Sequence, residues 1–176
     1  MRVLALSGSL RSDSLNARML RAASRLAPAG LAFEAWSGLD NLPHFSPDRD
    51  IEPLPAAVSE IRGRIRAADG LLLCTPEYIH SMPSALKNLL EWVVSSGACM
   101  DKPTAVWSVS PSPTGGAQAQ AALAHTLAVM SARVVPGAAL SLTLGPAGLD
   151  GEGRLVDPAL RERLQAALAA LAAAGP

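Results

Sequence analysis

The chain has 176 residues, 49% of them hydrophobic and 17% charged, with 15 lysines and arginines against 15 aspartates and glutamates. That length suits one domain with a proper core and leaves little room for two, so residues 1–176 are expected to form a single domain. Zero net charge argues against nucleic acid or an anionic membrane surface as partner, since both need a basic face.

Arg2 leads straight into a short apolar strand, shorter than the ~7–15 residues of a secretory apolar region, and no segment reaches the ~20 of a membrane span. A cytoplasmic protein is expected. Cys74 and Cys99 are the only cysteines and form no CxxC pair, so neither a zinc site nor a thioredoxin motif is available. Cys74 ends an apolar run and reads as a buried small hydrophobe, and a disulfide has little prospect in such a compartment.

In chain order, Val3-Leu4-Ala5-Leu6 predicts the first strand, and Leu15, Met19, Ala22, Ala23 and Leu26 keep a helical period after it. Between them lies Gly8-Ser9-Leu10-Arg11-Ser12-Asp13-Ser14-Leu15-Asn16, the most informative stretch. A second strand is expected at 31–36, followed by a proline-rich irregular stretch to residue 55 and a helix with Val58, Ile61, Ile65 and Ala68 inward. Asp69-Gly70 starts a third strand, Leu71-Leu72-Leu73-Cys74, apolar on both faces as a central parallel strand should be. The loop 75–82 follows, and Pro83 suits the first position of a helix whose buried stripe is Ala85, Leu86, Leu89, Leu90, Val93 and Val94.

A fourth strand is expected near 104–109, then a loop, 110–116, whose Gly115 and Gly116 would permit close backbone approach to a ligand. A helix at 117–130 and a fifth strand across 133–142, broken at Pro136-Gly137, come next. Residues 145–156 read as a surface excursion, and Asp157-Pro158 caps a last helix with Leu160, Leu164, Leu168 and Leu171 inward. Strands alternating with helices predict an α/β fold: a doubly wound five-stranded parallel sheet in three α/β/α layers. Ligands of such sheets bind beyond the carboxyl ends of the strands, where the loops after strands one, three and four converge.

The first of these loops has the makings of a phosphate cradle for a nucleotide or flavin. Unpaired N–H groups at a helix start meet an anion together with the positive end of the macrodipole. Ser9, Ser14 and Asn16 add side-chain donors, and Arg11 can form a charge-assisted pair with a phosphate oxygen. Ser12, Asp13 or Ser14 could equally serve as an ordinary helix cap.

Gly8-Ser9-Leu10-Arg11…Ser14-Leu15-Asn16, together with Pro76-Glu77-Tyr78…Ser81-Met82-Pro83-Ser84-Ala85-Leu86-Lys87-Asn88…Glu91-Trp92, resembles the NADPH-dependent FMN reductase family. Two long motifs in the right order are far more specific than either alone. The resemblance implies a flavodoxin-like FMN-binding domain, with FMN bound and NADPH or NADH a transient visitor. Ser9, Arg11, Ser14 and Asn16 would hold the FMN phosphate, with Leu10 and Leu15 in the same cofactor-binding turn. Pro76, Glu77, Tyr78 and Ile79 would line the ring and ribityl chain, largely through backbone groups, and Ser110 would approach from the third loop.

The resemblance further implies hydride transfer from NAD(P)H through the flavin to a small acceptor such as a quinone, azo compound, chromate-like oxyanion or free flavin. The chemistry is borne by the flavin, so no catalytic side chain and no metal are expected. The absence of a G-x-G-x-x-G fingerprint fits a pyridine nucleotide that visits without a site of its own. Relatives of this kind pair as homodimers or homotetramers. Three departures stand out: Ile79 where the family has asparagine, Ser84 where it has glycine, and Glu91 where it has aspartate. His80 could face substrate or be a solvated loop residue; Tyr78, one of six aromatics (three Trp, one Tyr, two Phe), favours the flavin reading. Glu77 reads as loop architecture, Lys87 and Asn88 as structure or a subunit contact, and Trp92 as packing under the loop. The alternatives are a flavodoxin-type electron carrier, against which the neutral charge weighs, and a relative that has lost FMN through the change at Ile79.

Overall fold

The short apolar runs become strands of one parallel sheet in a computed structural model that describes residues 1–176. The strands are β1 (Arg2–Ser7), β2 (Ala32–Trp36), β3 (Gly70–Thr75), β4 (Pro103–Ser110), β5 (Arg133–Val134) and β6 (Leu140–Thr143). The helices are α1 (Leu15–Leu26), α2 (Ala56–Ala67), α3 (Ser84–Val94), α4 (Ala117–Val129) and α5 (Pro158–Ala174). The order is β2-β1-β3-β4-β5, with β6 also paired to β4. The fifth strand is broken where Pro136-Gly137 indicated: Pro136 opens a 3-10 turn over Pro136–Ala138, and β5 and β6 pair successively along β4. This is the flavodoxin-type winding, whose order reverses between β1 and β3.

Alternate side chains divide the core. Leu4, Leu6, Leu71, Leu73 and Val106 meet α2, α3 and α4 on one face. Val3, Ala5, Leu72, Cys74 and Trp107 meet α1 and α5 on the other. All six residues of β3 are buried, which the unbroken Leu71-Leu72-Leu73 run foreshadowed.

Several expectations need correction. Pro83 lies one position ahead of α3 in extended backbone, ψ 148°, although its carbonyl accepts the Lys87 N–H. Val94 is 49% exposed, because the stripe of α3 ends at Val93. The stretch 145–156 is no mere surface excursion: Leu149 and Leu155 form a bridge and both plug the α1/α5 core. Asp150 organises its turn, accepting from the Arg154 N–H and guanidinium and, with smaller effect, from the Glu152 N–H, which together hold its carboxyl down to about 2. The close approach at Gly115 and Gly116 is to the chain itself. A Cβ at Gly115 (φ 61°) would stand 2.7 Å from the Leu142 carbonyl carbon, so the glycine lets the loop cross β6.

The proline-rich stretch before α2 is pinned by α3. Asn88 donates to the Pro43 carbonyl and accepts the Phe45 N–H, while the buried Trp92 donates its indole N–H to Pro43 at 2.7 Å and meets Phe45 edge-on. These contacts give Asn88 and Trp92 the architectural role expected of them.

Candidate functional site

The loop after β1 folds back as a cradle because Gly8 permits it. Its N–H reaches the Cys74 carbonyl at 2.8 Å, and a Cβ there would stand 2.8 Å from Leu86 Cδ2 and 3.3 Å from Thr75 Oγ1. Ser14 is the cap of α1: its Oγ accepts the Ala17 N–H at 3.1 Å, which leaves its own O–H free to donate. The backbone N–H groups of Leu10, Ser12, Asp13, Leu15 and Asn16 have no partner within the chain. Asp13 is turned away onto Arg21 at 3.2 Å, whereas the Arg11 guanidinium meets no acid. Capping and anion binding are therefore not competing readings of this turn; one hydroxyl accepts from the helix and can donate to a ligand.

Cys74 supplies a detail that composition hides. Its buried thiol donates to Asn16 Oδ1 at 3.2 Å, and Asn16 itself is 3% exposed. The amide nitrogen of Asn16 is left without a protein partner at the wall of a cavity. Burial pushes both thiols up, that of Cys99 to about 11, so neither is a nucleophile at neutral pH.

The second loop is a tight hairpin turn in which Tyr78 and Ser81 exchange both backbone hydrogen bonds. Ile79 (φ 51°) and His80 (φ 56°) occupy its two left-handed positions, and their N–H groups, like that of Glu77, are unpaired. Glu77 is committed to the scaffold: Oε2 accepts the Ala119 N–H in the first turn of α4 at 3.1 Å, and Oε1 lies 3.6 Å from His80 Nδ1. A β-branched residue in the left-handed region carries about 1–2 kcal/mol of strain. Ile79 is 98% exposed, so no burial offsets that cost. We predict that Ile79→Asn raises stability by about 1 kcal/mol, about 3 °C in Tm, in thermal unfolding of the flavin-free chain.

Two adjoining cavities bring the expected residues together. One of about 150 Å³ is walled by Ser9, Ser14, Leu15 and Asn16 from the first loop, Pro76 and Glu77 from the second, and Ser110 from the third. Another of about 440 Å³ lies between Leu10, Ile79 and the start of α3. Arg11 and Tyr78 border both. All eleven anticipated positions thus fall on one crevice. Gly8, Met82, Pro83 and Ala85, which also border it, belong to the same two motifs but carry no side-chain donor or charge that would single them out, and Ser84 beside them adds a hydroxyl.

The donor set suits a phosphate-bearing group. Free N–H groups, hydroxyls, a guanidinium and an amide converge at the start of α1, and the only carboxylate on the small cavity, Glu77, accepts the Ala119 N–H from α4. The larger cavity offers a half-exposed tyrosine ring and an apolar border, the surface a planar ring needs. No helix of the chain is long and apolar enough to cross a membrane.

Residues 1–146 match the family described as NADPH-dependent FMN reductase. The chain is 36% identical to an NAD(P)H-dependent FMN reductase of Pseudomonas aeruginosa, over 97% of this chain and 92% of that protein. It is 33% identical to a quinone reductase of Escherichia coli K12, over 77% of this chain and 73% of that one. Among solved structures it resembles the flavoenzyme NAD(P)H:(acceptor) oxidoreductase FerB of Paracoccus denitrificans, with TM-score 0.89, 28% identity and 99% of each chain covered. A flavodoxin of Pseudomonas aeruginosa, at TM-score 0.60 and 20% identity over 99% of this chain and 98% of that one, shares the fold.

Proposed function

The chain belongs to the NADPH-dependent FMN reductase family, and from that premise we propose that it is an FMN-dependent NAD(P)H oxidoreductase acting on small quinones. The observation that carries this reading is the donor-rich β1–α1 turn, where Arg11 and the amide of the buried Asn16 share one cavity with Pro76, Glu77 and Tyr78. FMN, when bound, would supply a ring that accepts and returns a hydride.

The chain's own part is placement. Ser9, Ser14, Asn16 and the N–H groups of Leu10, Leu15 and Asn16 would hold the phosphate, with Arg11 neutralising it. The unpaired N–H groups of Glu77, Ile79 and His80 would meet polar edges of the ring, and Pro76, Tyr78 and Ser110 would wall it. Backbone donors at 79 survive the loss of the asparagine side chain, so Ile79 does not forbid the cofactor. Glu77 acts by tying this loop to α4 through the Ala119 N–H.

Quinones are the favoured acceptors because the aligned relative from Escherichia coli is named a quinone reductase. Azo compounds, chromate-like oxyanions and free flavin belong in the same trial. Pairing as a homodimer or homotetramer and a cytoplasmic location, where NAD(P)H is at hand, complete the reading.

Anaerobic mixing of the FMN-loaded protein with NADPH or NADH tests it. The flavin absorbance should bleach within minutes and return on adding a benzoquinone. Absorbance that persists under excess NAD(P)H leaves an electron carrier in its place, and a protein that takes up no FMN removes both.

A further inference from the structure

A cavity of about 670 Å³ adjoins the crevice just described, in a groove between α1 and the edge strand β2. It exists because α1 packs chiefly over β1, β3 and β4 and leaves this face of β2 partly uncovered. Its volume is that of a small-molecule site. Ala5, Leu20, Phe33, Ala35 and Leu39 make an apolar floor. Arg21 and Arg25, one turn apart on α1, stand at its border with Arg11, and Asp40, just past β2, stands at it as well.

The groove is continuous with the cradle at the first loop. Ser9 and Arg11 border both, and the Arg11 guanidinium has no partner in the chain. Arg21 is shared with Asp13, and Arg25 donates to the Glu152 carbonyl; the Asp40 carboxylate accepts no hydrogen bond. Space thus continues past the point where a flavin monophosphate would end, and it changes character from donor-rich to apolar with a cationic border.

We infer that this groove binds an adenosine 5′-phosphate unit. A flat base with apolar faces matches the floor beside Phe33, and a phosphate matches the arginines. A ribose diol matches a carboxylate just past the second strand, beside the phosphate turn of the first, which is where dinucleotide-binding sheets hold it. Three sources carry that unit: the adenosine half of NAD(P)H, the adenylate end of FAD, and free AMP. The inference rests on the proposed reading only in taking the shared Arg11 turn as a phosphate site.

The test titrates AMP into the FMN-loaded protein by calorimetry. One AMP should bind per chain with Kd near or below about 1 mM. Ala35→Trp fills the groove from an exposed position on the edge strand, and Arg25→Glu reverses its border charge; each should weaken AMP at least about tenfold while FMN content and Tm stay unchanged. Ser24→Phe fills the groove from the opposite wall should the tryptophan impair folding. With Ala35→Trp, a raised KM for NADPH assigns the pyridine nucleotide as source, and loss of FAD in competition with FMN assigns the flavin. Loss of AMP with both unmoved assigns the free mononucleotide. No AMP binding at about 10 mM, or binding to Ala35→Trp as tight as to the parent, overturns the inference. AMP that binds while NADPH fails to bleach the flavin overturns the reductase reading and leaves the groove standing.

Discussion

FMN affinity should fall at least about a hundredfold in the double variant Ser9→Ala, Arg11→Glu, while riboflavin affinity stays within about twofold of the parent. A hydrogen bond to a charged group contributes about 1.5–3 kcal/mol, and a neutral hydroxyl donor about 0.5–1.5. Losing both and placing a carboxylate against a phosphate exceeds the roughly 2.7 kcal/mol that a hundredfold change requires. Ser14 is left intact on purpose, because its hydroxyl also caps α1 by accepting the Ala17 N–H, and deleting it would cost about 1 kcal/mol of stability unrelated to any ligand. Riboflavin lacks only the phosphate, so the ratio of the two affinities isolates the cradle. Flavin fluorescence titration reads both. Equal losses for the two flavins, or none for FMN, would put the phosphate somewhere other than the start of α1.

Stability should fall by about 3–5 kcal/mol in Arg62→Met, a large share of the roughly 5–15 kcal/mol that holds a domain folded. Arg62 is buried on the inner face of α2, with its side chain 7% exposed and that of Asp50 12%. Its Nε donates to the Trp92 carbonyl at 2.8 Å, and Nη2 reaches that carbonyl, Asp50 Oδ1 at 2.7 Å and Ser95 Oγ at 2.8 Å. One guanidinium therefore joins α2, the end of α3 and the irregular stretch before α2. Methionine would fill the volume but leave Asp50 with Ser95 alone.

The pH dependence follows from the sign of the shift. The Ser95 hydroxyl and then Arg62 hold the Asp50 carboxyl below its ordinary value, so the ion pair contributes fully above about pH 4 and is lost as pH falls through the lowered folded value. The gap between parent and variant in urea unfolding should be widest near neutrality and narrow below about pH 4. A gap that is constant with pH would mean that packing, and not the ion pair, carries the loss.

Much of this was legible in the chain itself. The Leu71-Leu72-Leu73 run announced a strand buried on both faces, the serine-rich turn announced a helix start with spare donors, and Pro136 announced the break between β5 and β6. Arg62 was not legible, because Arg62 and Arg64 both lie between Ile61 and Ile65 and either looks like a solvated helix position until α3 closes over Arg62. Gly115 and Gly116 were only half legible for a related reason: a glycine reports that something comes close, and only the fold says that the neighbour is β6 at Gly115 and Ser108 of β4 at Gly116.

Local order, then, belonged to the sequence. Periodicity, caps and turn chemistry act over a few residues, and they determined the alternation of strand and helix and the donors of the β1–α1 turn. Which of those donors stay free was a tertiary matter. The Cys74 thiol orients the Asn16 amide across 58 positions of chain, and Ala119 occupies Glu77 across 42. The open groove beside β2 is likewise set by where α1 comes to rest on the sheet, since pairings between distant residues depend on the whole packing and leave no periodic trace in the residues themselves.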